Sequence, residues 1–156
     1  MKRITFLLGL GLLCGVAGAQ EKPSLQVLVE KLDEDARFCG ISKSAIEPIA
    51  TLTLRNNGIR VVPKSNPYLY IHTTAVVLRR GGEVLGCALS SRVDIRGLVE
   101  TNTSGGFKSR RLLPPFTQTV LCEADSLISG PPSSIASQHS TALERDIKIC
   151  LGNLDY

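Results

Sequence analysis

Few side chains in this 156-residue sequence are equipped for chemistry: two histidines, His72 and His139, five cysteines, and one tight acidic run, Asp33, Glu34 and Asp35. Nucleophilic catalysis needs a thiol or hydroxyl beside a base, and acid–base catalysis needs groups held in opposite protonation states. His72 and Asp94 are the residues from which an acid–base pair would be built. His139 falls on an apolar helical stripe, where a histidine is ordinarily a packed residue rather than a catalyst. The acidic run beside a strand reads as solvated charge. No nucleophile-elbow, Walker or zinc-protease motif is present. Cys39, Cys87, Cys122 and Cys150 are strung far apart along the chain, unlike the close CxxC or CxxH pairs of a zinc site, so neither a metal nor another cofactor is expected. Binding is the better use of what remains. Tyr68, Tyr70, His72, Arg92 and Arg96 form a polar and aromatic set of the types that anchor interfaces, and Lys108, Arg110 and Arg111 offer positive charge to an anionic partner.

The segment 1–19 has the three parts of a secretory leader: Lys2 and Arg3, an apolar run over 4–16, and Ala17-Gly18-Ala19 as a small-x-small cleavage site. The apolar run is shorter than the roughly 20 residues that cross a bilayer, so no stable membrane span is expected after cleavage. Processing at Cys14 is the alternative, but Leu13 before it is larger than the small residue a lipoprotein cut wants. Removing the leader takes Lys2 and Arg3 from the 18 basic side chains and none of the 14 acidic ones, so the net charge falls from +4 to near +2. The mature chain has no Trp and keeps six aromatics. A nucleic-acid partner is thereby disfavoured, because neither a concentrated basic stripe nor base-stacking platforms are present. The expected address is periplasmic or secreted.

These residues must be positioned by a small α+β domain over 20–156. Alternation of Leu25, Val27 and Val29 predicts a first strand over 25–32. Ser44 and Glu47 have capping-box spacing for a helix to about 57, with a stripe of Ala45, Ile46, Ile49, Leu52 and Thr53 and with Gly58 ending it. With Ser42 as the cap instead, Pro48 lies deeper in that helix. Strands over 68–79, 84–96 and 116–123 follow, then a helix over 134–151 with Ile135, His139, Ala142, Leu143, Ile147, Cys150 and Leu154 on its apolar stripe. Residues 97–115 read as a flexible loop. Side-chain parity across Gly81-Gly82 favours an odd-length loop with a glycine bulge. It matches Leu69, Ile71, Thr73, Ala75 and Val77 with the apolar face of Cys87, Leu89 and Val93, whereas an even turn would bury Tyr68, Tyr70 and His72. The expected architecture is a two-layer sandwich, a four-stranded, mainly antiparallel sheet with two helices on one face in the order β-α-β-β-β-α.

Removing Cys14 leaves four cysteines, an even number that reads as disulfides in an exported chain and allows three connectivities. The architecture selects Cys39 with Cys87, helix start to sheet, and Cys122 with Cys150, strand end to last helix. The chain-entropy stabilisation is roughly 4 and 3.5 kcal/mol.

The segment RFCGISKSAIEPIATLTLRNNGIRVV, with PYLYIHTTAVVL and CALSSRVDI after it, resembles small uncharacterised exported proteins of Gram-negative bacteria over about residues 37–95. The element order is also similar to that of the lipopolysaccharide-assembly lipoprotein of the outer membrane. Neither resemblance implies a catalytic motif. The export signal, the compact α+β pattern and the absent catalytic chemistry point to a non-enzymatic binding or accessory protein of the cell envelope, meeting an envelope protein or an anionic envelope ligand. A small hydrolase-like enzyme using the His72 face and a structural or stress-related secreted protein are the alternatives. Oligomeric state is left open.

Overall fold

The computed structural model describes residues 23–100 and 116–154. The expected leader, and with it the choice between cleavage at Ala19 and at Cys14, lies outside them. Alternating apolar residues build the sheet. Strand β1 (Ser24–Val29) turns Leu25, Val27 and Val29 to one side, β3 (Tyr68–Arg80) adds Leu69, Ile71 and Ala75, and β4 (Glu83–Glu100) adds Cys87, Leu89, Val93 and Ile95. Helices α2 (Lys43–Asn56) and α3 (Pro132–Gly152) close over that face. Ile46, Ala50 and Leu54 come from the first, and Ile135, Leu143 and Ile147 from the second.

The sheet has five strands, in the order β2-β1-β3-β4-β5, and it is mixed. The expectation of four mainly antiparallel strands is corrected in two ways. Residues Arg60–Val61 form a short β2 parallel to β1, and β1 itself runs parallel to β3, with Val27 opposite Leu69 and Val29 opposite Ile71. The parallel pairing follows from α2 acting as a crossover between β1 and β3. A short helix, α1 (Glu34–Phe38), was not expected either. The first strand stops at Val29 rather than residue 32, because Asp33 caps α1 by accepting the Ala36 amide at 2.6 Å. The other carboxylate oxygen of Asp33 accepts from Ala75 N at 3.2 Å, and Asp35 accepts from Val77 N at 3.1 Å. The acidic run, expected as solvated charge, thus supplies acceptors to β3 amides where β1 has ended.

Faces were paired as parity required, by a different device. Gly81 and Gly82, at φ +58° and +90°, make a two-residue turn that sets Arg80 opposite Glu83. The odd residue is inside the strand: Leu85 is left unpaired between Arg79 opposite Val84 and Leu78 opposite Gly86. From there Ile71 faces Val93, Thr73 faces Ser91 and Ala75 faces Leu89. A Cβ on Gly86 would stand 2.8 Å from the Gly130 carbonyl oxygen, so the bulge also brings two backbones close. The expected loop over 97–115 is shortened, because β4 continues through Glu100. The strand β5 (Phe116–Gly130) runs well past the expected end at 123. A second irregularity, at Leu121, returns Cys122 to the covered face.

Ser42, not Ser44, caps α2 and accepts from Ala45 N at 3.2 Å, which places Pro48 inside the helix. The stripe is therefore rotated from the expected one. Ala50 and Leu54 are buried, whereas Ala45 is exposed and Leu52 is 61% exposed. Gly58, at φ +80°, ends the helix as expected. In α3 the expected stripe is buried from Ile135 to Cys150 and is joined by Asp146 and Leu151, whereas Leu154 lies past the helix end and is half-buried. The disulfides join Cys39 to Cys87 and Cys122 to Cys150, and so fasten the end of α1 and the last turn of α3 to the sheet.

Candidate functional site

Because the helices cover one side, the even-numbered residues of β3 and β4 face away from them. Tyr68, Tyr70 and His72 lie opposite Arg96, Asp94 and Arg92, so the structure brings these expected residues together on one open face. Lys108, Arg110 and Arg111 lie outside the described residues.

The patch is wired from β1 to β5. Glu30, just past β1, receives a hydrogen bond from the Tyr70 hydroxyl and pairs with His72 Nδ1. The Tyr70 bond first, then His72, holds the Glu30 carboxyl below its ordinary value, and the same bond pushes the Tyr70 phenol up. Arg96 lays its guanidinium 4.0 Å from the centre of the Tyr70 ring and donates Nε to Asp94 Oδ2 at 2.9 Å. Asp94 is 0% exposed beneath it, and its Oδ1 has no hydrogen-bond partner among the described residues. Burial is the largest single effect on Arg96 and works against its charge, yet the Asp94 bond and the Asp94 charge, with Tyr70 and Tyr68, together outweigh it and hold the guanidinium above its ordinary range. Arg92 donates Nε to Asp125 at 3.0 Å and places an Nη 3.3 Å from Glu123, and the Asp125 bond leads in raising its affinity for the proton. Gln118 donates to the Tyr68 hydroxyl.

The two arginines are therefore already neutralised. Among the described residues of this patch, Glu30, Asp94, Glu123 and Asp125 outnumber Arg92 and Arg96, so an anion approaching them meets a carboxylate majority. Apolar side chains complete the surface: Val76 is 58% exposed and Leu127 80%. A shallow depression of about 620 Å³ is lined by His72, Thr74, Ser90, Arg92, Asp125, Ser126 and Leu127.

Asp94 does not serve His72. It is shielded and held by Arg96, while the carboxylate at the imidazole belongs to Glu30. Glu30, Glu123 and Asp125 were not singled out from the sequence. The signal for the last two was the continued alternation of Cys122, Ala124, Ser126 and Ile128, which extends the strand. Glu30 carried no local signal, since its place depends on a parallel pairing between segments far apart in the chain.

His139 lies on the covered side, 2% exposed, with Nε2 3.3 Å from Thr73 Oγ1, which is in turn 3.2 Å from Ser91 Oγ. Burial pushes its pKa down, against the opposing charge of Asp146. Among the described residues no three His, Cys, Asp or Glu side chains are grouped to hold a metal ion, and no helix is long and apolar enough to cross a membrane.

No family model matches the chain, and no curated protein is significantly similar to it. Among solved structures it is similar to rare lipoprotein B from Shewanella oneidensis, at 13% identity over 82% of this chain and 89% of that one, with a TM-score of 0.31. It is also similar to a minor lipoprotein from Acinetobacter baumannii, at 10% identity over 84% and 87%, with a TM-score of 0.33. Likeness at that level carries nothing about function.

Proposed function

We propose that the chain is an exported, non-enzymatic accessory protein of the cell envelope that binds another protein through the open face of its sheet, with Tyr68, Tyr70, His72, Arg92 and Arg96 at the centre. The observation that carries this reading is the uncovered face itself. It combines Tyr and Arg side chains, held in place by Glu30, Asp94, Glu123 and Asp125, with exposed Val76 and Leu127. Export is supported by the leader-like segment 1–19 and by the two disulfides, which are the state of cysteines in oxidising compartments. A protein fits this face better than an anionic envelope ligand, because both arginines already have carboxylate partners.

The experiment is site-specific photocrosslinking from Thr74 and Ser90, on the open face, and from Thr141, on the exposed side of α3. One discrete adduct from the sheet positions, lost in His72→Ala/Arg92→Ala and absent from Thr141, is expected. Equal adducts from both surfaces would defeat the proposal.

A second reading rests on one arrangement: His72 holds Glu30 through Nδ1, which leaves Nε2 as the ring atom available for proton transfer beside the depression. Turnover of a chromogenic ester that disappears in His72→Ala with the fold intact would favour this hydrolase-like reading over the first.

A further inference from the structure

The two long edges of the sheet are finished differently. On the β1 side, the stretch of β3 that outruns its neighbour has its Ala75 and Val77 amides taken by Asp33 and Asp35. On the other side β5 pairs with β4 alone over 15 residues, and among the described residues no side chain or turn hydrogen-bonds to its backbone. Every second residue of β5 therefore directs its N–H and C=O away from the sheet. Edge strands are ordinarily guarded by Lys or Pro, and Phe116–Gly130 contains neither. Its bulge at Leu121 lies toward one end, and the guards on the regular stretch from Cys122 onward are the carboxylates Glu123 and Asp125, which a basic strand would satisfy.

We infer that the β5 edge accepts an extended segment of a partner protein as a sixth, edge-added strand, one with Lys or Arg at the positions facing Glu123 and Asp125 and an apolar residue facing Leu127. Charge selects this occupant over a second copy of the chain. Glu123, Asp125 and Leu127 share the open face, and same-face residues must pair across a new ladder. In a two-fold antiparallel pairing of β5 with itself, registers centred on this stretch set Glu123 and Asp125 directly or diagonally against their own copies. Arg92 is the basic group these two carboxylates share, so one negative charge is left over for the incoming strand. Leu127, the most exposed large apolar residue among those described, supplies the apolar contact beside them. The inference concerns the edge of the sheet rather than its open face, and the two are read out at different residues.

The test uses the full disulfide-bonded chain and three ten-residue peptides: Lys/Val, a valine-rich strand with Lys at two successive positions of one face and Val at the next position of that face; Glu/Val, with Glu in place of those Lys; and the Lys/Val sequence with two prolines in its centre. Hydrogen exchange followed by NMR reads individual β5 amides. With the Lys/Val peptide, every second amide between residues 122 and 129 is expected to slow at least about tenfold, since those groups gain a ladder partner. The Glu/Val and proline peptides leave them unchanged, and Glu123→Gln/Asp125→Asn weakens Lys/Val binding about three- to tenfold. Equal binding of the proline peptide, slowing confined to amides outside β5, or no slowing at about 1 mM peptide, the weak end of the affinity scale, would overturn the inference. So would concentration-dependent dimerisation of the free chain that protects the same amides, which would give the edge to a second copy.

Discussion

Arg96 and Arg92 carry the same charge on the same face, yet they are held in unlike ways. Arg96 is stacked on Tyr70 and is the bonded partner of a carboxylate with no exposure to water, whereas Arg92 bridges two exposed carboxylates. Removing the partner of a buried charge is costly, and removing an exposed bridge is not. Arg96→Ala should therefore lose about 3–5 kcal/mol in urea unfolding, while Arg92→Ala leaves the midpoint nearly unchanged; equal effects would mean that Asp94 finds another partner. His139 gives a second prediction at this scale. Its folded-state pKa is lowered by burial, so the unfolded chain takes up the proton first. The stability that His139 contributes is present above the ordinary value of 6.5 and is lost as pH falls below it toward the folded-state value. Urea midpoints at pH 7.5 and 5.5 should separate more for the native chain than for His139→Gln. Glu30, lowered in the folded state, acts in a different window, since its contribution fades only as pH falls below 4.5.

At the scale of elements, the close approach at the β4 bulge is testable. Gly86→Ala drives a Cβ against the Gly130 carbonyl, a backbone atom that cannot swing away, and should destabilise by about 1–3 kcal/mol. Asp33→Ala removes a helix cap and a β3 amide acceptor together, for about 1–2 kcal/mol; a thermal scan showing no change would place those bonds in solvent. Alternation made the strands and their faces legible: the shared face of Leu69, Ile71 and Ala75 with Cys87, Leu89 and Val93 and the apolar stripe of α3 were readable, because periods of 2 and 3.6 are local properties of the chain. The turn at Gly81-Gly82 was read with the right faces and the wrong location for its extra residue. Parity constrains only the sum of loop and bulge, so Leu85 and a third loop residue are equivalent from sequence. The parallel β1–β3 pairing, the place of Glu30 and the tasks of Asp33 and Asp35 were not readable, since each depends on contacts between segments far apart in the chain.

For the whole molecule, the bonds between layers set the stability. Replacing Cys39 and Cys87 together by Ala should cost about 4 kcal/mol, and replacing Cys122 and Cys150 about 3.5 kcal/mol, from the loops they close. Chemical denaturation of each double variant checks the order; a larger loss from the shorter loop would show that helix docking outweighs chain entropy. The candidate face was legible to the same extent as the sheet. Tyr68, Tyr70, His72, Arg92 and Arg96 followed from alternation, while the carboxylates that neutralise them did not, and these change the partner's expected charge. The connectivity has one more consequence, for biogenesis. Cys39 pairs with Cys87 and Cys122 with Cys150, in chain order, so the two loops neither overlap nor nest. A chain entering an oxidising compartment from its N-terminus presents Cys39 and Cys87 before Cys122 exists outside, and an oxidase that joins thiols in order of arrival makes both native bonds. Maturation should accordingly proceed at full yield in cells that lack a disulfide isomerase.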